Sequence, residues 1–89
     1  MSIAASLAAQ SAISRINNAD MAIIRSSQAE SDLLNSGNTD FNAVARKEAQ
    51  LQSERLRAET QERAARAELR AIKRREEKES KKNKLNLLA

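Results

Sequence analysis

The chain has 89 residues, a net charge of +4, one aromatic residue, and no cysteine, histidine or proline. This size allows one small domain at most, and the composition excludes disulfide bonds and the thiolate or imidazole ligands of the usual zinc, haem and iron–sulfur sites. Because such a chain can bury little apolar surface, we expect it to be stabilised by association with other subunits.

The first segment, residues 1–34, is predicted to be a helix rich in Ala and Ser. Its large apolar residues fall within about one third of a helical wheel: Ile13, Ile16, Ile23, Ile24 and Leu34. Asp20 lies near this apolar stripe, which requires either a break in the helix or a partnered carboxylate. We expect a break near Asn17 and Asn18, because Asn competes for backbone hydrogen bonds.

Residues 35–40 are predicted to form a turn. This segment holds the one glycine of the chain, Gly37, which suits the left-handed position that ends a helix. Thr39 or Asp40 can accept hydrogen bonds from the first N–H groups of a following helix. The sequence thus predicts an all-α fold of two helices, arranged as a hairpin or as a kinked rod within a larger oligomer.

Residues 41–82 are predicted to form one long charged helix, followed by a C-terminal tail at residues 83–89. The segment lacks Gly and Pro and consists mainly of the strongest helix formers. One narrow apolar stripe recurs every seven residues: Val44, Leu51, Ala58, Ala65 and Ile72. A second shallow stripe lies about 150° away on the wheel and includes Phe41, Ala45, Ala49 and Leu56.

Two stripes on one helix favour neighbours on two sides, as in a ring, a sheath or a layered bundle. We therefore predict that the Val44 stripe contacts one neighbouring subunit and that the Phe41 stripe contacts another. The partners would be further copies of the chain, other assembly proteins, or both.

The end of the long helix is strongly basic. Eight Lys or Arg side chains are candidate contacts for a polyanion: Arg70, Lys73, Arg74, Arg75, Lys78, Lys81, Lys82 and Lys84. Three glutamates interrupt the run, and no aromatic side chain accompanies it for base stacking. Nucleic-acid contact through this end is therefore an alternative to a solvated charged surface.

The residues do not suggest catalysis, and we predict no cofactor, metal or catalytic site. The glutamates are scattered among arginines on a charged helix, where carboxylates usually form solvated ion pairs. Small residues four apart within residues 3–13 favour close helix packing, with membrane contact as the weaker alternative. The N-terminus lacks the basic region of a signal peptide, and its uncharged stretch is too short to span a bilayer.

The order of the segments resembles that of the internal virion or ejection proteins of tailed phages. It begins with the uncharged stretch Ser2-Ile3-Ala4-Ala5-Ser6-Leu7-Ala8-Ala9-Gln10, followed by a helix rich in Asn, Ala, Met and Gln and then by one rich in Glu, Arg and Ala. The resemblance implies a helical protein that packs in rings inside the capsid or near the portal. It also implies a location in the virion, or in the host cytoplasm before assembly.

The chain also resembles the small helical-hairpin subunits of secretion-system needles and rods in its length and in its central turn at Asn35 to Asp40. That family usually carries prolines in the turn, and this chain has none. Our sequence-based hypothesis is that the chain is a non-enzymatic structural subunit of a multi-subunit helical assembly. The identity that we favour for this subunit is a phage virion component. The alternatives are a nucleic-acid-binding or packaging accessory protein and a needle or rod subunit.

Overall fold

A computed structural model describes residues 2–88 of the chain. Two helices make up the fold: α1 at Ile3–Asn35 and α2 at Phe41–Leu88. They pack against each other as a helical hairpin that measures 75 × 16 × 15 Å. The all-α prediction is confirmed, and the hairpin is the correct choice over a kinked rod.

Three ion pairs define the antiparallel register. Arg15 pairs with Glu68, Asp20 with Arg66, and Glu30 with Arg55. The partner in α2 has a lower residue number as the residue number in α1 increases, so the two helices are antiparallel. Glu30 faces Arg55, and α1 ends only five residues later, at Asn35. The first turns of α2, up to about Gln50, therefore extend past the end of α1.

Buried and half-buried residues form what we call the inner seam. In α1 it contains Ala5, Ala9, Ala12, Ile16, Ala19, Ile23, Ser26, Glu30 and Leu33, and in α2 Val44, Glu48, Leu51, Arg55, Ala58, Glu62, Ala65, Leu69, Ile72 and Glu76. The spacing alternates between three and four residues, as in a two-stranded coiled coil. Since many of these side chains are Ala or Ser, the two backbones can lie close together.

Short-range hydrogen bonds hold the turn between the helices. Ser36 Oγ donates to the carbonyl of Leu33 at 2.7 Å, and the N–H of Asn38 donates to Ser36 Oγ at 3.3 Å. Gly37 adopts φ 70°, the left-handed conformation predicted for it. The N–H of Ala43 donates to Asp40 Oδ1 at 3.1 Å, so Asp40 rather than Thr39 caps α2.

Two predicted boundaries are wrong. Helix α1 runs without a break through Asn17 and Asn18, because both side chains are exposed and the inner seam stays in phase across them. Helix α2 continues to Leu88, through most of the predicted tail at residues 83–89. This segment consists of Lys, Asn, Leu and Ala and contains no Gly or Pro that would end a helix.

Candidate interaction surfaces

Most of the Val44 stripe lies inside the hairpin. Leu51, Ala58, Ala65 and Ile72 are buried and Val44 is half-buried. Helix α1 of the same chain covers Leu51, Ala58, Ala65 and Ile72, so these four residues lie inside the hairpin and not at the predicted contact with a neighbouring subunit. Val44 lies past the end of α1 and stays a candidate for that contact. A count of large apolar residues underestimates how well a helix of small residues covers such a stripe.

The Phe41 stripe remains on the surface of α2. Phe41 is 80% exposed and Leu56 is 60% exposed, and Ala45 and Ala49 are exposed as well. Phe41 lies three residues before Val44 and so follows the phase of the inner seam, but α1 ends too early to cover it. These four residues stay candidates for contact with another molecule.

The outward surface of α1 carries large apolar residues that form a surface separate from the inner seam. The structure exposes Ile3, Leu7, Ile13, Met21, Ile24 and Leu34. The single apolar stripe predicted for α1 is thus divided: Ile16 and Ile23 face α2, whereas Ile13, Ile24 and Leu34 do not. The sequence signal for this division was two interleaved sets of α1 residues, each spaced alternately by three and four. A helical wheel averaged over the whole segment places Ile23 of one set and Ile24 of the other in one stripe.

Ion pairs flank the inner seam near the middle of the hairpin. Arg15 Nη1 lies 2.7 Å from Glu68 Oε2, and this hydrogen bond lowers the pKa of Glu68 and raises that of Arg15. A hydrogen bond between the carboxyl groups of Asp20 and Glu62 raises the pKa of Asp20 and lowers that of Glu62. The carboxylate near the predicted apolar stripe of α1 is therefore partnered, which was the alternative to a broken helix.

Arg66 completes this cluster. Its Nε donates to Glu62 Oε1 at 2.8 Å, and its Nη2 lies 3.9 Å from Asp20 Oδ2. The hydrogen bond to Glu62 raises the pKa of Arg66. Asp20 and Arg66 are half exposed at the edge of the hairpin and Glu62 is half-buried between the helices, so the cluster joins the two helices without forming an enclosed site.

The basic side chains near the end of α2 are exposed. They include all eight candidate polyanion contacts, and within residues 2–88 no ion pair involves any of them. Glu76 and Glu79 line a groove together with Ala4 and Ala5 in the first turn of α1. Arg75 lines the same groove, and carboxylates are favoured near the N-terminal end of a helix.

The sequence matches no protein-family model, no curated protein and no solved structure. Within the part of the chain that the structure describes, no helix has an apolar stretch long enough to cross a membrane.

Proposed function

We propose that the chain is a non-enzymatic structural subunit of a multi-subunit helical assembly. The observation that carries this proposal is the number of large apolar side chains left on the surface of a hairpin only 16 Å wide. Monomeric proteins rarely leave contiguous apolar surface uncovered, and protein contact is its usual use.

A defined place for the assembly follows from the phage resemblance. We propose that the subunit belongs to a virion, inside the capsid or near the portal, where slender helical proteins pack side by side. Mass spectrometry of purified particles tests this location. Recovery of the chain at a fixed copy number per particle would support it, and a chain present in infected cells but absent from particles would refute it.

Concentration-dependent thermal stability tests the assembly itself. Because association stabilises only the folded chain, the melting temperature of a self-assembling subunit rises with protein concentration. Circular dichroism should therefore give a higher melting temperature at about 1 mM than at about 10 µM, a hundredfold range of mass action. A melting temperature that is constant over this range would contradict a self-assembling subunit.

A second candidate function is binding to nucleic acid through the basic end of α2. The specific observation in its favour is the exposure of all eight Lys and Arg side chains there, free of ion pairs within residues 2–88. Each phosphate contact would lower the logarithm of affinity by about 0.9 per tenfold increase in salt.

Charge-matched variants test this second function. Replacing Lys81, Lys82 and Lys84 with Gln should weaken duplex binding and make its salt dependence shallower. The control replaces Arg46, Lys47 and Arg57 with Gln, since these residues are exposed in the half of α2 next to the turn and the net charge changes equally. Equal losses in both variants would indicate a general charge effect and would refute a site at the basic end.

A further inference from the structure

The outward surface of α1 carries a second regular seam, which we call the outer seam. It consists of seven exposed residues: Ile3, Leu7, Gln10, Ser14, Asn17, Met21 and Ile24. They are spaced by four and three residues in turn, the same spacing as the inner seam. The outer seam lies on nearly the opposite side of α1 from the inner seam, and it contains no charged residue.

The outer seam reads nearly the same in both directions. Two large apolar residues, Ile3 and Leu7, begin it, and two others, Met21 and Ile24, end it. An amide side chain follows on each side, and Ser14 lies at the centre. The spacing is also symmetric about Ser14 to within one residue, so a copy of α1 turned end for end meets the same kinds of residue at nearly the same heights.

We propose that a second copy of this chain packs on the outer seam, with its own α1 antiparallel and a two-fold axis at Ser14. Leu7 then lies opposite Met21 of the second copy, Ile3 opposite Ile24, and Gln10 opposite Asn17. A two-fold interface uses the same surface patch on both subunits. The outer seam satisfies this condition because its residue types are nearly the same when it is read in either direction. This inference rests on the proposed function and identifies its partner and its interface.

The distribution of charge on the hairpin also favours a second outer seam as the surface that packs here. The outward surface of α2 is crowded with exposed Lys, Arg and Glu, so packing it on the outer seam would desolvate charges without partners. Another outer seam brings no charge into the contact. The Gln10–Asn17 layers exchange hydrogen bonds between copies, and such polar layers fix the register and orientation of helix pairs at some cost in stability.

The size of the seam sets the expected strength of this contact. From Ile3 to Ile24 the seam spans about 32 Å of helix at about 1.5 Å per residue. A contact of this length between two single helices buries less than the ~800 Å² per partner of a stable complex. We therefore expect a reversible dimer with a dissociation constant in the range of about 10 µM to 1 mM.

The experiment uses complementary charges at facing positions. Leu7 is 61% exposed and Met21 is 48% exposed in the hairpin, so Leu7→Glu and Met21→Lys should each fold with the helix content of the natural chain. Sedimentation equilibrium of each variant alone should show self-association weakened at least tenfold. An equimolar mixture should regain the natural affinity, because the carboxylate introduced in one variant would face the ammonium group introduced in the other. The second facing pair of that mixed dimer would remain Leu7 and Met21.

A matched control adds charge elsewhere. Ser53→Glu introduces one carboxylate on the outward surface of α2, and its self-association should equal that of the natural chain. Two further results would overturn the proposal: unchanged association of Leu7→Glu, or single variants that weaken and a mixture that is not restored. In a parallel pair Leu7 would face Leu7, so the mixture specifically tests the antiparallel arrangement.

The failures of the interface and of the proposed function are distinguishable. If the melting temperature of the natural chain rises with concentration but Leu7→Glu changes nothing, the chain assembles through another surface and only the interface is wrong. If the natural chain stays monomeric at about 1 mM, the dimer and any self-assembly fail, whereas the proposed virion subunit is refuted only by absence of the chain from purified particles. Monomers that instead bind phosphatidylcholine vesicles through residues of the outer seam would assign the seam to lipid and would overturn the proposed dimer.

Discussion

Glu30 and Arg55 form an ion pair between the two helices, with Glu30 Oε2 2.6 Å from Arg55 Nη1. Both residues occupy inner-seam positions where a coiled coil usually places apolar side chains. Their side chains are 16% and 30% exposed, respectively. A shift of the helices by one heptad would bring Arg55 opposite Ile23 in one direction and past the end of α1 in the other, so this pair favours one register over its neighbours.

The first prediction concerns this pair. Glu30→Leu alone leaves the Arg55 guanidinium half-buried without its partner, and it should lower the free energy of unfolding by about 1 to 2 kcal/mol. Adding Arg55→Leu should restore or exceed the stability of the natural chain, because an apolar pair needs no desolvation of charge. Urea unfolding followed by circular dichroism measures both. A double variant as unstable as the single one would show that the pair itself stabilises the hairpin.

The second prediction concerns the small residues of the inner seam. Ala65 is 1% exposed, so Ala65→Leu forces a larger side chain between the helices and should cost about 1 to 3 kcal/mol. The neighbouring Ala64 is exposed, and Ala64→Leu serves as the control with little expected change. Equal stability of the two variants would contradict the close packing of α1 and α2 at this layer.

The third prediction concerns pH. The lowered pKa of Glu68 contributes stability at pH values above its ordinary pKa of 4.5, and this contribution is lost as the pH falls through the lowered value. Glu68→Gln should therefore lower the melting temperature at about pH 7, and the difference should vanish at about pH 2. A difference of equal size at both pH values would indicate that packing, and not the ion pair with Arg15, is responsible.

The fourth prediction concerns Asp20, whose pKa is shifted in the opposite direction. Because its pKa is raised, folding is favoured by the protonated carboxyl, and that advantage is lost as the pH rises through the raised value. Asp20→Asn keeps a neutral donor for Glu62 and should raise the melting temperature at about pH 7 but not at about pH 2. A lower melting temperature of Asp20→Asn at neutral pH would mean that Arg66 outweighs Glu62 as the partner of Asp20.

The fifth prediction separates the two stripes of α2. Leu51 is buried against α1, so Leu51→Asp should sharply reduce the helix content by placing a carboxylate in the inner seam. Leu56 is exposed, and Leu56→Asp should leave the helix content unchanged. Circular dichroism at low concentration measures both variants. Loss of helix in Leu56→Asp would show that this residue is covered in the native state.

Helix type and turn position could be predicted from sequence because local signals determine them. Gly37 and Asp40 carry their own backbone preferences, and the long segment that follows the turn consists mainly of strong helix formers. The identity of the partner could not be predicted in this way. Whether Leu51 contacts α1 or another subunit depends on where α1 ends and how closely Ala12 and Ala19 let it approach. These are properties of the packed pair and not of either helix alone.

The outer seam is a second feature that could not be predicted from the sequence of α1 alone. Ile23 and Ile24 belong to one apolar stripe on an averaged wheel, yet the structure half-buries the first in the inner seam and exposes the second in the outer seam. A three-and-four repeat is narrow, so a partner helix covers only part of a broad apolar stripe. The division between inner and outer seams becomes visible only once the ion pairs fix which side of α1 faces α2.

Light scattering of the natural chain, coupled to size exclusion, tests the central claim of a self-assembling structural hairpin most directly. The predicted result is a mass that rises with concentration from the 9.8 kDa of one chain toward at least twice that value, with constant helix content. A mass that stays at 9.8 kDa up to about 1 mM would contradict it.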